Sequence, residues 1–186
     1  MWILIDAVQD FLELILIENN QIKTSFKEKQ NKNLTKILIP CIANFLEKNK
    51  VKKEEIKRFY VINGPGSFTC VKLISVFINA FKSIFNNIEI FSLNSNWWFA
   101  GKNNTISLID AKSNLFYYSF VDTKKDKLVT LIDEKQKNKI ICENPSANLY
   151  IYSVNNILSI NERWNFSKDL FEKVELIKPL YVKNPV

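Results

Sequence analysis

The chain has 186 residues, 47% of them apolar and 24% charged, enough for one sizeable core or two small lobes and too apolar for wholesale disorder. It carries a net charge of +7 and contains no histidine, which removes the commonest metal ligand and the commonest general base and makes a Ser-His-Asp triad impossible. Three widely spaced cysteines, Cys41, Cys70 and Cys142, form no CxxC pair, so zinc-knuckle and dithiol redox chemistry lack support.

Trp2–Ala7 is a short apolar run, Phe11–Glu18 a second one broken by Asn19 and Asn20, and Gln21–Phe26 alternates as Ile22, Thr24, Phe26. These read as three strands of an antiparallel meander. Asp6, Asp10 and Glu13 interrupt the apolar start of the chain, so it reads neither as a signal segment nor as a membrane span. Together with the odd cysteine count, this points to a cytoplasmic protein. Leu34–Asn49 has helical spacing at Leu34, Ile37, Leu38, Cys41, Ile42, Phe45 and Leu46. Pro40 is expected to kink this helix or mark its first turn. A lysine-rich turn follows, then a buried strand at Phe59–Asn63, a long apolar helix over Phe68–Phe85 and a strand at Ile88–Ser92. Strands that first run as a meander and then alternate with helices predict a mixed sheet with helices on at least one face.

The second half is less regular. Ser107–Asp110, Leu115–Asp122, Lys127–Ile132 and Leu149–Ser153 read as strands, and Phe166–Val174 as a short helix. A lobe boundary is expected near Trp97 to Asn104, dividing the chain into 1–98 and 99–186. Trp97 and Trp98 suit lobe packing better than a base-stacking patch. All basic residues except Arg58 and Arg163 are lysines, and they are scattered. Their densest groups, Lys48–Lys53, Lys124–Lys127 and Lys135–Lys139, fall at expected turns and helix ends, as for solvated positions. A lysine-based nucleic-acid module is the competing reading.

Glycine is the most informative residue type. The chain has three glycines, where the usual frequency of ~7% would give about a dozen. Two of them flank Pro65 in Gly64-Pro65-Gly66, followed by Ser67, Phe68 and Thr69. Such placement implies a backbone that other residues do not adopt. Ser67 or Thr69 is expected to cap the following helix through its hydroxyl. A strand, a glycine turn and a helix N-terminus suit an anion; a sharp, well-capped turn is an equal alternative. No Gly-Lys-Ser/Thr follows, so this is not a Walker A loop. Asp6 stands either as a phosphate-site carboxylate or as a solvated strand end, and Asp110 as a structural turn residue.

Gly64–Thr69 resembles the GPGSFT signature of the TsaB (YeaZ) family. Ile3-Leu4-Ile5-Asp6-Ala7, Leu38-Ile39-Pro40, Leu108-Ile109-Asp110-Ala111 with Phe116-Tyr117, and Pro179-Leu180-Tyr181-Val182-Lys183 are similar to further family segments, in the same order. The resemblance implies an α/β, actin-like ATPase (ASKHA, ribonuclease H-like) fold in two lobes, the C-terminal one reduced. It implies a non-catalytic subunit that pairs with TsaD and works with the ATPase TsaE, so that a threonylcarbamoyl group is transferred to the N6 of the adenosine beside the anticodon of certain tRNAs. The catalytic relative TsaD binds a metal through an HxxxH pair, which a chain without histidine cannot supply. Ala7 stands where the family has Thr, no glycine follows, and Cys70, Lys72 and Lys183 replace Gly, Arg and Arg. A stand-alone ASKHA phosphotransferase needs Asp-x-Gly-Thr in that first turn and is the weaker alternative. The nucleotide- or phosphate-binding candidates are Asp6, Gly64, Gly66, Ser67 and Thr69. No cofactor is expected on the chain alone; ATP or ADP belongs, on this reading, at the interface with TsaD. Binding of tRNA would come through the complex.

The helix after the glycine turn carries only a narrow polar stripe at Lys72, Ser75, Asn79, Lys82 and Ser83. A helix so widely apolar needs cover on more than one side. Ile37, Cys41, Val71, Ile74, Ile78 and Phe81 are the residues expected to face a partner, either TsaD or a second copy of the chain; a helix buried within the monomer is the alternative.

Overall fold

The computed structural model describes residues 1–30 and 33–183. The last three residues of the expected 99–186 lobe therefore lie outside it. The described residues form two compact units: Met1–Leu93 with Phe171–Leu180, and Asn94–Leu170 with the residues from Tyr181 onward. The expected cut after Trp98 falls inside a helix of the second unit, and a C-terminal segment returns to the first.

In the first unit the meander is β1 (Trp2–Asp6), β2 (Phe11–Glu18) and β3 (Gln21–Lys29). Then come α1 (Leu34–Lys48), a 3-10 turn at Lys53–Glu55, β4 (Arg58–Ile62), α2 (Phe68–Ile84) and β5 (Glu89–Leu93). The sheet is mixed. β1 pairs antiparallel with β2 and parallel with β4, β4 runs parallel to β5, and β2 and β3 are antiparallel. The chain later adds β10 (Glu172–Val174) antiparallel to β5. Where the sequence suggested a helix over Phe166–Val174, this short strand forms, because its backbone groups complete the β5 edge. Alternation puts Ile3, Ile5, Leu12, Leu14, Leu16, Phe59, Val61 and Ile90 on one face, in one core with Leu34, Leu38, Ile42 and Phe45 of α1 and Ile74 and Ile78 of α2. Pro40 lies inside α1 rather than in its first turn.

The second unit opens with α3 (Ser95–Ala100), a one-and-a-half-turn helix that is wholly buried and too short to show periodicity in the sequence. Asn94 caps it by accepting the Trp97 N–H at 3.0 Å. Its sheet holds β6 (Thr105–Asp110), β7 (Leu115–Val121), β8 (Thr130–Asp133) and β9 (Asn148–Ile151) in the order β8-β7-β6-β9. β6 is antiparallel to β7 and parallel to β9. This repeats the pairing of β3-β2-β1-β4 in the first sheet with no sequence repeat to announce it, and it stops one parallel strand short. The C-terminal sheet is thus the reduced one. Two helices complete the unit, α4 (Glu134–Glu143) and α5 (Ile160–Ser167). Each begins with a capping box, Asp133 with Gln136 and Ser159 with Glu162.

Trp97 and Trp98 are fully buried. The Trp97 indole N–H donates to Ser119 Oγ at 2.9 Å, and the Arg163 guanidinium stacks 4.7 Å from the Trp98 ring. Both tryptophans pack the unit, which removes them as a surface for nucleic-acid bases.

Candidate functional site

β1 delivers Asp6 to the end of the first sheet, where the chain turns through Ala7–Asp10 into β2. Asp6 is buried, and its Oδ1 accepts the Val8 N–H at 3.2 Å. The solvated-strand-end reading of Asp6 therefore fails: the carboxylate organises its own turn.

The residue that holds this turn is one that sequence reasoning passed over. Gln30 is buried just after β3. Its side-chain amide donates to the carbonyls of Ala7 (2.8 Å), Gln9 (3.1 Å) and Phe11 (2.8 Å), and its backbone N–H to that of Asp10 (3.0 Å). Its Oε1 accepts the Cys70 thiol at 3.1 Å. One glutamine thus ties the β1–β2 turn to the first turn of α2. A lone Gln beyond a polar strand end carries no periodic or motif signal, so nothing local marked it.

The glycine turn lies against that same turn. Gly64 has φ +104°, and a Cβ there would sit 2.9 Å from the Leu180 carbonyl oxygen. A Cβ at Gly66 would lie 2.2 Å from the Val8 carbonyl oxygen, a distance no Cβ tolerates. The Ser67 N–H donates to that carbonyl at 2.9 Å, and Gln9 Nε2 reaches the Pro65 carbonyl at 3.4 Å. The Gly66 requirement is thus accounted for by the close approach of Val8. The Ser67 N–H, one of the donors a ligand could have used at this helix start, is already taken.

The expected hydroxyl cap is absent. Ser67 occupies the N-cap position without a side-chain bond to a helix N–H, its hydroxyl interacting instead with the Cys70 thiol. Ser67 and Thr69 are exposed beside the turn. Burial pushes the Cys70 thiol up from its ordinary range, against a smaller opposing effect of Ser67, so it is a poor nucleophile. Among the described residues no group of three or more His, Cys, Asp or Glu could hold a metal ion.

At the end of β6, Asp110 accepts the Lys112 N–H at 2.8 Å and the Lys112 ammonium at 2.7 Å. That pairing holds its carboxyl below the usual range, as for a turn residue. Lys183 donates to the Ala111 carbonyl at 3.2 Å, joining the C-terminal motif to the β6 motif.

The second candidate surface is formed by α1 and α2, and here the expected interface needs correction. Val71, Ile74 and Ile78 are 1%, 1% and 0% exposed; Ile74 and Ile78 pack in the core of their own sheet and Val71 against Gly64, so none of them can meet a partner. Ile37, Cys41 and Phe81 are half-buried against the same core. The most exposed apolar side chains of these helices are Ile39 (63% exposed) on α1 and Val76 (59%) and Ile84 (73%) on α2, ahead of Phe68 (40%) at the start of α2. Exposed Pro40 and Ala43 flank Ile39, and Ala80 lies between Val76 and Ile84. On α2 these positions, with half-buried Leu73 and Phe77, follow the i, i+3, i+4, i+7 spacing of one helical stripe. Behind them Phe77, Phe81 and Phe85 form a ladder with ring centroids 6.0 and 4.6 Å apart. Because nearly the whole circumference of α2 is apolar, its sequence shows that two sides are covered but not which side is the sheet.

The comparisons with known proteins fit this architecture. The family described as TsaD, tRNA N6-adenosine threonylcarbamoyltransferase, matches residues 21–141. Uncharacterized protein MG208 of Mycoplasma genitalium is 27% identical over 98% of this chain and 94% of its own length. Its Mycoplasma pneumoniae homolog matches at the same identity and coverage. Among solved structures, YeaZ from Pseudomonas aeruginosa superposes with a TM-score of 0.72 at 13% identity, over 97% of this chain and 98% of its own. A second crystal structure, of an uncharacterized protein with similarity to peptidase YEAZ from Pseudomonas aeruginosa, gives 0.74 at 12%, over 98% and 99%. No helix among the described residues is long and apolar enough to cross a membrane.

Proposed function

Since the chain belongs to the TsaD family of tRNA N6-adenosine threonylcarbamoyltransferases and has the fold of YeaZ (TsaB) structures, we propose that it is the TsaB-like, non-catalytic subunit of a t6A-forming complex. The observation that carries this reading is the family match across both units, in a chain without a single histidine. The turn that would have to cradle a phosphate is filled by Val8 and closed by Gln30. Such a turn supports a scaffold better than a phosphotransferase. A nucleotide used by the assembly would then be held chiefly by the partner, with Ser67 and Thr69 as this chain's exposed contribution beside α2.

The exposed stripe of Ile39, Val76 and Ile84 is the surface through which the chain pairs with a TsaD-type subunit, or with a second copy when that subunit is absent. Burying such side chains contributes roughly 1.5–3 kcal/mol each. The small residues Ala43 and Ala80 allow the partner's backbone to come close.

Reconstitution tests the proposal. The TsaD-type and TsaE-type proteins of the same organism are mixed with tRNA, ATP and a threonylcarbamoyl donor, with and without this chain. The modified nucleoside is then measured in the digested tRNA. The expected result is modification only when the chain is present, and no ATP turnover by the chain alone. Modification of equal extent without it, or ATP hydrolysis by the pure chain, contradicts the reading.

A further inference from the structure

The second sheet has a face, opposite the one that meets α3, that the scaffold role leaves unused. Register places Phe120 beside Ile106, Tyr118 beside Leu108, and Thr130 beside Tyr118, so these residues point to one side of the sheet. α4 covers only part of that side and has no fully buried residue of its own. Beyond it a cleft of about 480 Å³ opens, in the size range of small-ligand sites. Tyr118, Phe120 and Leu128 form its apolar floor, and Lys124 and Lys125 stand at its rim with Asp126. Lys125 holds its ammonium 4.8 Å from the Phe120 ring centroid and lies 3.9 Å from Asp122.

We propose that this cleft takes an unpaired nucleotide of an RNA strand, its base against Phe120 and Tyr118 and its flanking phosphates on Lys124 and Lys125. Flat aromatic rings on a sheet face are a stacking platform that accepts any base. An exposed ammonium–ring interaction is weaker than base stacking, so a base displaces Lys125 from Phe120, and the freed ammonium reaches the phosphate. Cations at Lys124 and Lys125, both exposed on one loop, suit the phosphates on either side of a base better than a single free nucleotide. Asp126 supplies an acceptor for a base amino group or a ribose hydroxyl. The inference rests on the reading of the chain as part of an RNA-modifying complex.

The test is fluorescence anisotropy of the full chain with a labelled ten-nucleotide oligo(A) RNA between 50 and 200 mM salt, with AMP as competitor. Phe120→Leu, which removes the ring but keeps the position apolar, is expected to weaken binding about five-fold or more and leave the salt dependence unchanged. Lys124→Ala with Lys125→Ala is expected to flatten the slope of log affinity against log salt by about 1.4, at about 0.7 for each phosphate no longer neutralised. These two positions are exposed, so that variant guards against a folding artefact. The inference is overturned if neither variant alters binding, if Lys48→Ala with Lys53→Ala flattens the slope equally, or if AMP competes as well as the oligomer. Co-purification of the double lysine variant with the TsaD-type subunit is read in parallel. Pairing that persists while RNA binding disappears supports the inference; pairing intact with RNA binding unchanged removes the inference alone; wild-type chain that does not pair removes the scaffold reading beneath it.

Discussion

Replacing Gly66 by Ala is the sharpest perturbation of the junction between the two turns. The added methyl would lie 2.2 Å from the Val8 carbonyl oxygen and 3.0 Å from both the carbonyl carbon and the Cβ of Val8. None of these atoms ends a flexible side chain, so the turns must separate. Overpacking of this kind costs about 1–3 kcal/mol. Separation also stretches the 2.9 Å Ser67–Val8 hydrogen bond, worth about 1 kcal/mol. Together the change costs roughly 2–4 kcal/mol, which for a chain of this size lowers Tm by about 4–16 °C. Urea titration and a thermal melt of the purified variant read it directly. A variant as stable as wild type to within about 0.5 kcal/mol would refute the packing account and return Gly66 to the role of making room for a ligand.

Three further outcomes follow from the same geometry. Gln30→Ala removes the donor shared by three carbonyls and the acceptor of the Cys70 thiol; leaving these buried groups unpaired is expected to cost at least about 2 kcal/mol, seen as a lower urea midpoint. Burial first, and then Glu28 3.4 Å away, push the Cys41 thiol up to about 11. The folded state thus favours the protonated thiol, and the resulting stabilisation is complete below the ordinary thiol pKa of 9.0 and lost as pH rises toward about 11. Ellman's reagent at pH 8 should therefore label exposed Cys142 ahead of Cys41 and buried Cys70, and prior labelling of Cys70 would contradict this. Lys173 and then Arg58 hold the Glu89 carboxyl below its usual range, at 2.6 and 2.7 Å, so its stabilising contribution is present above the unfolded carboxylate pKa and fades as pH falls. Glu89→Gln is expected to cost under about 1 kcal/mol, as for an exposed pair, and to remove that part of the acid dependence in urea titrations at pH 3–7.

The sequence was most legible where one physical rule dominated. Alternation and the Asn19-Asn20 break located β1 to β3, helical spacing located α1 and α2, and the scarcity of glycine singled out Gly64 and Gly66. What stayed hidden is non-local. The reason for Gly66 is the backbone of Val8, nearly sixty residues earlier. Gln30 acts through carbonyls twenty residues away. α4 has no fully buried residue, so it carries almost no hydrophobic pattern, and its start is marked only by the capping box of Asp133 and Gln136. α2 is the opposite case: apolar on nearly every side, it offered Val71, Ile74 and Ile78 as partner residues when the chain itself had already buried them. Periodicity identifies a helix, and only the tertiary structure says which arc remains for another molecule.

The central claim is that the exposed stripe of α1 and α2 joins this chain to a TsaD-type subunit. The most direct measurement is co-purification of the two proteins with Val76→Glu in this chain. Val76 is 59% exposed, so the free chain should keep its stability to within about 0.5 kcal/mol. An unpaired charge buried in the interface costs about 3–5 kcal/mol, enough to raise Kd by at least about a hundred-fold. The expected result is a stoichiometric wild-type complex and a folded but unpaired variant. A complex that forms equally well with Glu at position 76, or no complex with wild type, would contradict the account.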